Sequence, residues 1–300
     1  MNAHDFTKTF QLPPTVNFHL WKPCNLQCRF CFATFNDDPL LKNVKGGMKE
    51  PHARRILELL SESGVEKITF VGGEPTLCPY LPALLKYARE LNLVTSLVTN
   101  GARLTKVLGE APGCLDWVGL SVDSANEETQ AALWRGSGNH VAQSYTHFQT
   151  LHNLGIRVKL NTVVTSMNWQ EDMSDFVLQV KPDRWKIFQV LPVFGQNNEK
   201  VKPLLISAEQ FNAFVERHRW LSGMGITMAP ESNEDMTGSY AMIDPLGRFF
   251  CNVTGTHEYS RPILEVGVHA AFQDISFDHS RFIARGGFYD WSALDARLKA

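Results

Sequence analysis

The chain predicts an α/β fold, a partial (β/α)6 barrel with an N-terminal arm and a C-terminal α+β cap, and three observations carry that expectation. Strand and helix patterns alternate six times between Val16 and Leu191, which argues for parallel βαβ units with right-handed crossovers. No Rossmann-type glycine fingerprint accompanies them. The 300 residues suit an α/β barrel folded as one unit.

In order, residues 1–14 read as a flexible arm. Val16 to Trp21 alternates as a strand, and Asn36 to Gly47, with its Asp, Pro and Gly residues, reads as a loop. A helix is expected from Pro51, because Ala53, Ile56, Leu57 and Leu60 fall on one face and Gly64 ends it. Strands are expected at 68–71, 94–99, 117–122, 156–164 and 185–191, with helices near 81–91, 127–133, 141–153 and 169–180. The barrel core is placed at 15–192. Residues 193–291, with a periodic helix at 208–219 and then short strands and turns, form a cap integral to the same domain; 292–300 is a tail without a role.

In parallel α/β folds the chemistry sits beyond the C-terminal ends of the strands. The first such loop holds Cys24, Cys28 and Cys31, three cysteines in a C-x3-C-x2-C spacing, with no fourth to close the set. Structural zinc wants four ligands, whereas three thiolates suit a [4Fe–4S] cluster with one iron left open. Cys78, Cys114 and Cys251 are expected to act as small core hydrophobes. The ten histidines form no H-x3-H pair with a carboxylate partner, so a zinc hydrolase site has no support.

Composition bounds the rest. Hydrophobic content of 44% and charged content of 20% are those of a folded globular protein. A net charge of −2 gives no global attraction to nucleic acid or an anionic membrane. No run approaches about 18 apolar residues and no signal-peptide pattern opens the chain. A cytoplasmic protein with unpaired thiols, no membrane partner and a monomeric state is the expectation.

After the second strand comes Gly72-Gly73-Glu74-Pro75. Glycines there let backbone approach a ligand, and the carboxylate can accept from an ammonium. The cysteine triplet followed by Gly-Gly-Glu-Pro resembles the radical S-adenosylmethionine superfamily. Cys24-Asn25, Phe30-Cys31-Phe32, Asn100-Gly101, Arg135-Gly136-Ser137-Gly138-Asn139-His140, Arg184-Trp185-Lys186-Ile187-Phe188-Gln189, Ala229-Pro230-Glu231-Ser232-Asn233 and Arg285-Gly286-Gly287-Phe288-Tyr289 resemble the viperin family within it. The likeness spans roughly Val16 to Trp291.

That resemblance implies an enzyme, a nucleotide dehydratase. Family members cleave S-adenosylmethionine with a reduced cluster to methionine and a 5′-deoxyadenosyl radical. The radical removes the ribose 4′ hydrogen of a ribonucleoside triphosphate. Loss of water and a one-electron reduction give the 3′-deoxy-3′,4′-didehydro nucleotide, an antiviral chain terminator. CTP is the default substrate, with UTP and GTP as alternatives, and a flavodoxin or ferredoxin would donate electrons. The short stretch before the first strand lacks the amphipathic helix of animal relatives, so a microbial-type viperin is expected.

By the same resemblance Cys24, Cys28 and Cys31 would ligate the cluster, and Gly72, Gly73 and Glu74 would meet the cofactor's amino group. Ser121 and Arg135 would contact its ribose or carboxylate. Lys67, Lys159, Asn161, Arg184, Lys186 and Arg285 match triphosphate-binding positions, and Tyr240 a tyrosine proposed to relay an electron and proton. A triphosphate demands a local cationic cradle in a chain of this net charge, and lysines inside apolar strands are not ordinary surface charges. Lys159 and Asn161 share a strand face, as do Arg184 and Lys186. Val71 stands where animal viperins carry a hydroxyl residue. Two other readings compete: a radical enzyme acting on a peptide or another small molecule, and a non-catalytic iron–sulfur protein that binds partners.

Overall fold

Among the described residues ten strands form one sheet in the order β10-β9-β8-β1-β2-β3-β4-β5-β6-β7. They are β1 (Thr15–Trp21), β2 (Lys67–Gly72), β3 (Val94–Thr99), β4 (Trp117–Ser121), β5 (Arg157–Val164), β6 (Arg184–Gln189), β7 (Thr227–Glu231), β8 (Met242–Ile243), β9 (Arg248–Cys251) and β10 (Glu258–Pro262). β1 to β7 run parallel in chain order, β8 lies parallel to β1, and β9 and β10 add antiparallel. This computed structural model describes residues 12–292; positions 1–11 of the expected arm and 293–300 of the expected tail lie outside the described residues. The last part of that arm is tied down, since the Pro14 carbonyl accepts from the Glu66 and Lys67 amides at 2.8 and 3.0 Å.

The period of two sorts each strand between two environments. Val16, Phe18, Leu20, Ile68, Phe70, Leu97, Val118, Leu120, Val158, Leu160, Trp185 and Ile187 face outward into the main core with the helices. Asn17, His19, Lys67, Thr69, Val71, Lys159, Asn161, Val163, Arg184, Lys186 and Phe188 face inward and line one cavity of about 700 Å³. Inward residues of β1, β2, β4, β5, β6 and β8 share that cavity, which is the concave interior of the partial barrel. The helix Glu50–Glu62 shows why the outer layer holds: Ala53, Ile56, Leu57 and Leu60 are its buried face. Each buried Ile or Leu contributes ~1.5–3 kcal/mol.

Three expectations change. The stretch 36–47 is not all loop, because Pro39–Lys42 is helical: the Asp38 carboxylate caps it by accepting from the Leu40 amide at 2.7 Å, and Pro39 suits the first turn. The helix expected over 169–180 is only Ser174–Val180. Upstream, the Asn168 side chain accepts from the Thr165 amide at 2.6 Å and fixes a turn instead. The six expected barrel strands are present in order, and among the described residues the segment read as a cap adds β7 parallel to β6 and β8 to β10 to the same sheet. Pro230 hid β7; a strand at the sheet edge tolerates a missing donor. Among the described residues no helix is long and apolar enough to cross a membrane.

Candidate active site

At the C-terminal ends of the strands, the cysteine loop after β1 is anchored to two neighbours and closed by a turn of its own. The Arg29 amide donates to the Leu133 carbonyl at 3.2 Å, the Asn197 amide group to the Phe30 carbonyl at 3.1 Å, and Cys31 N–H to Cys28 O at 3.1 Å. Cys24, Cys28 and Cys31 are free thiols lining the cavity. Burial pushes the Cys24 thiol up to about 11 and the Cys28 thiol up to about 12, with the Arg135 charge pulling both the other way. Among the described residues no three His, Cys, Asp or Glu side chains converge on a single metal ion. A multi-iron cluster takes its thiolates on separate irons. Three soft donors on one short loop, opening on a large cavity, fit such a cluster and do not fit a closed single-ion site.

Gly72 and Gly73 are needed here for a reason the motif did not disclose. A Cβ on Gly72 would lie 2.2 Å from the Trp21 carbonyl oxygen, and one on Gly73 would lie 2.1 Å from that of Lys22. The Gly73 and Glu74 amides donate to Trp21 and Pro23 at 2.7 and 2.9 Å. The close approach is therefore to the chain's own backbone, and these amides are not free for a ligand. The Glu74 carboxylate lines the cavity while accepting from the Thr76 amide at 3.0 Å, the Thr76 and Thr99 hydroxyls at 2.6 and 2.5 Å, and the Asn100 amide at 2.8 Å. Burial raises its pKa against those four donors. Arg135 is buried, and its guanidinium pairs with Asp123 and lies 5.4 Å from the Phe30 ring centroid. Burial opposes its charge, but Asp123 together with the nearby Cys28 and Cys31 outweighs burial and holds the guanidinium above its usual value. Ser121 lines the cavity, and its carbonyl meets His140 Nε2 at 2.8 Å.

The opposite end of the cavity is built from the first halves of the strands. Lys67 on β2, Lys159 on β5 and Arg184 on β6 surround the Tyr289 ring at 4.6, 4.9 and 4.6 Å from its centroid. The Tyr289 hydroxyl accepts from Lys67 and, at 2.6 Å, from Lys159. Arg184 donates to the Gly286 carbonyl at 3.1 Å. Among the described residues no carboxylate forms an ion pair with these three cations. Burial pulls the Lys159 ammonium down to about 7, and burial with Lys159 beside it holds Lys67 well below its usual value. Lys159 pairs with Arg184 in register, and Asn161 lies level with Ser121 and Lys186, one layer (~7 Å) closer to the cysteines. Gly119 makes room in that interior, since a Cβ there would stand 3.0 Å from the Asn161 side-chain nitrogen.

Between the ends lies a second charged group. Lys186 Nζ is 2.8 Å from Glu231 Oε1 and donates to the Tyr240 hydroxyl at 2.5 Å, while that hydroxyl donates to Glu231. Arg285 stacks on the Tyr240 ring at 3.6 Å, lies 3.7 Å from Glu231, and donates to the Ser239 carbonyl at 2.7 Å. Burial pulls Lys186 down to about 7 although Glu231 supports its charge. Burial would raise the Glu231 carboxyl, but Lys186 and Arg285 outweigh it and hold it below its usual value.

All fifteen residues singled out from the sequence thus line one cavity. Sequence reasoning gave no role to Asp123, His140, Glu231 or Tyr289. Glu231 and Tyr289 stood inside stretches already quoted, and Asp123 in the loop after the fourth strand, but only their contacts reveal the part each plays. Cys78 and Cys251 are buried as expected, and Cys114 is partly exposed.

Comparison with known proteins agrees with this architecture. The radical SAM superfamily model matches residues 21–177. An S-adenosylmethionine-dependent nucleotide dehydratase of Flammeovirga pacifica is 47% identical over 93% of this chain and 96% of its own length. The S-adenosylmethionine-dependent nucleotide dehydratase RSAD2 of Oncorhynchus mykiss is 35% identical over 96% of this chain and 83% of its own length. Among solved structures, Streptococcus suis SuiB bound to its precursor peptide SuiA superposes with a TM-score of 0.69 at 18% identity, over 93% of this chain and 67% of that one; a likeness at that identity concerns the fold alone. The chain therefore belongs to the S-adenosylmethionine-dependent nucleotide dehydratases, the viperin family of radical SAM enzymes.

Proposed function

We propose that the enzyme converts a ribonucleoside triphosphate, CTP by default with UTP or GTP as alternatives, to its 3′-deoxy-3′,4′-didehydro analogue. The observation that carries this reading is the union of three thiols and five buried or half-buried cations (Lys67, Lys159, Arg184, Lys186 and Arg285) in one cavity. A [4Fe–4S] cluster with S-adenosylmethionine, when bound, supplies methionine and the 5′-deoxyadenosyl radical that takes the ribose 4′ hydrogen.

The chain's own residues do the positioning. Cys24, Cys28 and Cys31 hold the cluster. The Glu74 carboxylate and the Gly72 and Gly73 carbonyls receive the cofactor's ammonium, and Arg135 and Ser121 its carboxylate or ribose. Asp123 fixes which edge of the Arg135 guanidinium is left to offer. Asn161 and Lys186, level with Ser121, meet the nucleotide beside the cofactor; Lys67, Lys159 and Arg184 take the phosphates deeper in the barrel. Arg285 closes the flank. Tyr240, its hydroxyl oriented by Glu231 and Lys186, relays the electron and proton that the substrate radical needs after water leaves. The electron that starts the cycle would come from a flavodoxin or ferredoxin, and the reaction would run in the cytoplasm.

The test is anaerobic incubation of reconstituted, reduced enzyme with S-adenosylmethionine and each ribonucleoside triphosphate in turn. One triphosphate is expected to stimulate 5′-deoxyadenosine release and yield a product lighter by one water. Release unaffected by every nucleotide, with no dehydrated product, would sink the reading.

A further inference from the structure

The floor of the cavity carries a group that the reading above leaves without a role. Tyr289 lies among the N-terminal ends of β2, β5 and β6, the ends opposite the cysteine loop. Along β2, Lys67 sits beside Tyr289 and Gly72 beside the cysteine loop, a separation of five rises or ~16 Å. A hydroxyl has two acceptor lone pairs and one donor. The Lys67 and Lys159 side-chain nitrogens both donate to that of Tyr289, so the O–H is left to donate. The ring is fixed edge-on against Trp117 and Trp291, at centroid separations of 5.6 and 5.2 Å. The hydroxyl is therefore held in place by two lysine nitrogens that both donate to it, with its proton available to an acceptor.

We propose that Tyr289 is the length gauge of the phosphate site: its hydroxyl, seated between Lys67 and Lys159, donates to the terminal phosphate and selects a nucleoside triphosphate over a diphosphate. The inference rests on the nucleotide reading and deepens it. A chain one phosphate shorter either leaves the Lys67–Lys159–Tyr289 layer unfilled or draws the ribose down, away from the level of Ser121 and Asn161. A chain of three reaches the floor with the ribose still beside the cofactor. Gly286 and Gly287 precede the tyrosine, and Phe282 packs so closely that a Cβ on Gly287 would lie 2.4 Å from its ring. The segment that carries the gauge is thus locked to the helix His279–Ala284.

The test measures binding without turnover. Reconstituted full-length enzyme, held anaerobically with S-adenosylhomocysteine, is titrated calorimetrically with CTP, UTP and GTP and with the matching diphosphates. Wild type is expected to bind its triphosphate at least tenfold tighter than the diphosphate. Tyr289→Phe keeps the ring and is expected to weaken triphosphate binding ~10-fold, the scale of one hydrogen bond to a charged group, and to leave diphosphate binding unchanged. In the unaltered enzyme a γ-methyl ester of the triphosphate, which blocks a terminal oxygen, is expected to lose a similar factor, so the test does not depend on the variant folding. Equal weakening of both nucleotides in Tyr289→Phe, no weakening of either, or wild-type indifference to phosphate number overturns the gauge and leaves the nucleotide reading standing. Binding of no nucleotide by wild type overturns the reading beneath it.

Discussion

The two ends of the barrel cavity hold their charges in opposite ways. At the cysteine end the buried charged groups have partners inside the protein: Asp123 holds Arg135, and the Glu74 oxygens accept from Thr76, Thr99 and Asn100. At the tyrosine end Lys67, Lys159 and Arg184 face one another around a neutral hydroxyl, and no carboxylate of the described residues pairs with them. Buried like charges without a counter-ion are costly, and the depressed pKa of both lysines expresses that cost. One end is preorganised by internal pairing. The other is left with a charge deficit that an anion would complete.

The largest effect should come from separating the two ends. Replacing Cys24, Cys28 and Cys31 by alanine should abolish iron–sulfur absorption on reconstitution and all 5′-deoxyadenosine formation, yet leave triphosphate binding within about threefold of wild type; calorimetry that finds binding lost as well would mean the ends are not independent. Next, Asp123→Asn should cost ~3–5 kcal/mol of stability, because it leaves the buried Arg135 charge unpaired; denaturant unfolding measures it. A loss below ~1 kcal/mol would show that water already reaches the pair.

Lys159→Ala should be far milder on stability while weakening triphosphate binding ~10- to 100-fold with the cluster spectrum unchanged. It is a cleaner probe than Lys186→Ala, which deprives Glu231 of its partner at 2.8 Å.

The smallest effect is in pH, and it has two opposed signs. Lys159 and Lys186 titrate near 7 in the folded protein against about 10.4 unfolded. Between those values the unfolded chain binds more protons, so nucleotide-free stability should rise from pH 7 toward 10. The charged lysines are present below about 7, so triphosphate affinity should fall, by roughly severalfold, as pH rises from 6 to 8.5. Melting curves and titrations over that range should slope in opposite directions; parallel slopes would contradict an anion site built on these lysines.

How much of this was legible depended on how local the signal was. The cysteine triplet and Gly-Gly-Glu-Pro lie on single turns, and spacing alone announced them. The βα period was equally plain, because each outward strand face is a short apolar run. β7 was not, since Thr227–Glu231 contains Pro230 and buries only two of its five residues. The helix expected from residue 169 began only at Ser174, because the Asn168 side chain captures the backbone first. The glycines were read for a ligand, whereas the crowding they relieve is that of Trp21 and Lys22.

By itself the sequence determined the barrel's alternation, the three thiols and which lysines break into apolar strands, since each depends on residues a few positions apart. Which charges meet was decided only by closure of the sheet. Lys67 and Tyr289 are 222 positions apart, and Lys159 and Tyr289 are 130 apart. Lys186 and Glu231 share one ion pair because β6 and β7 lie side by side. A strand's period says which way a side chain points; only the register of its neighbours says what it finds there.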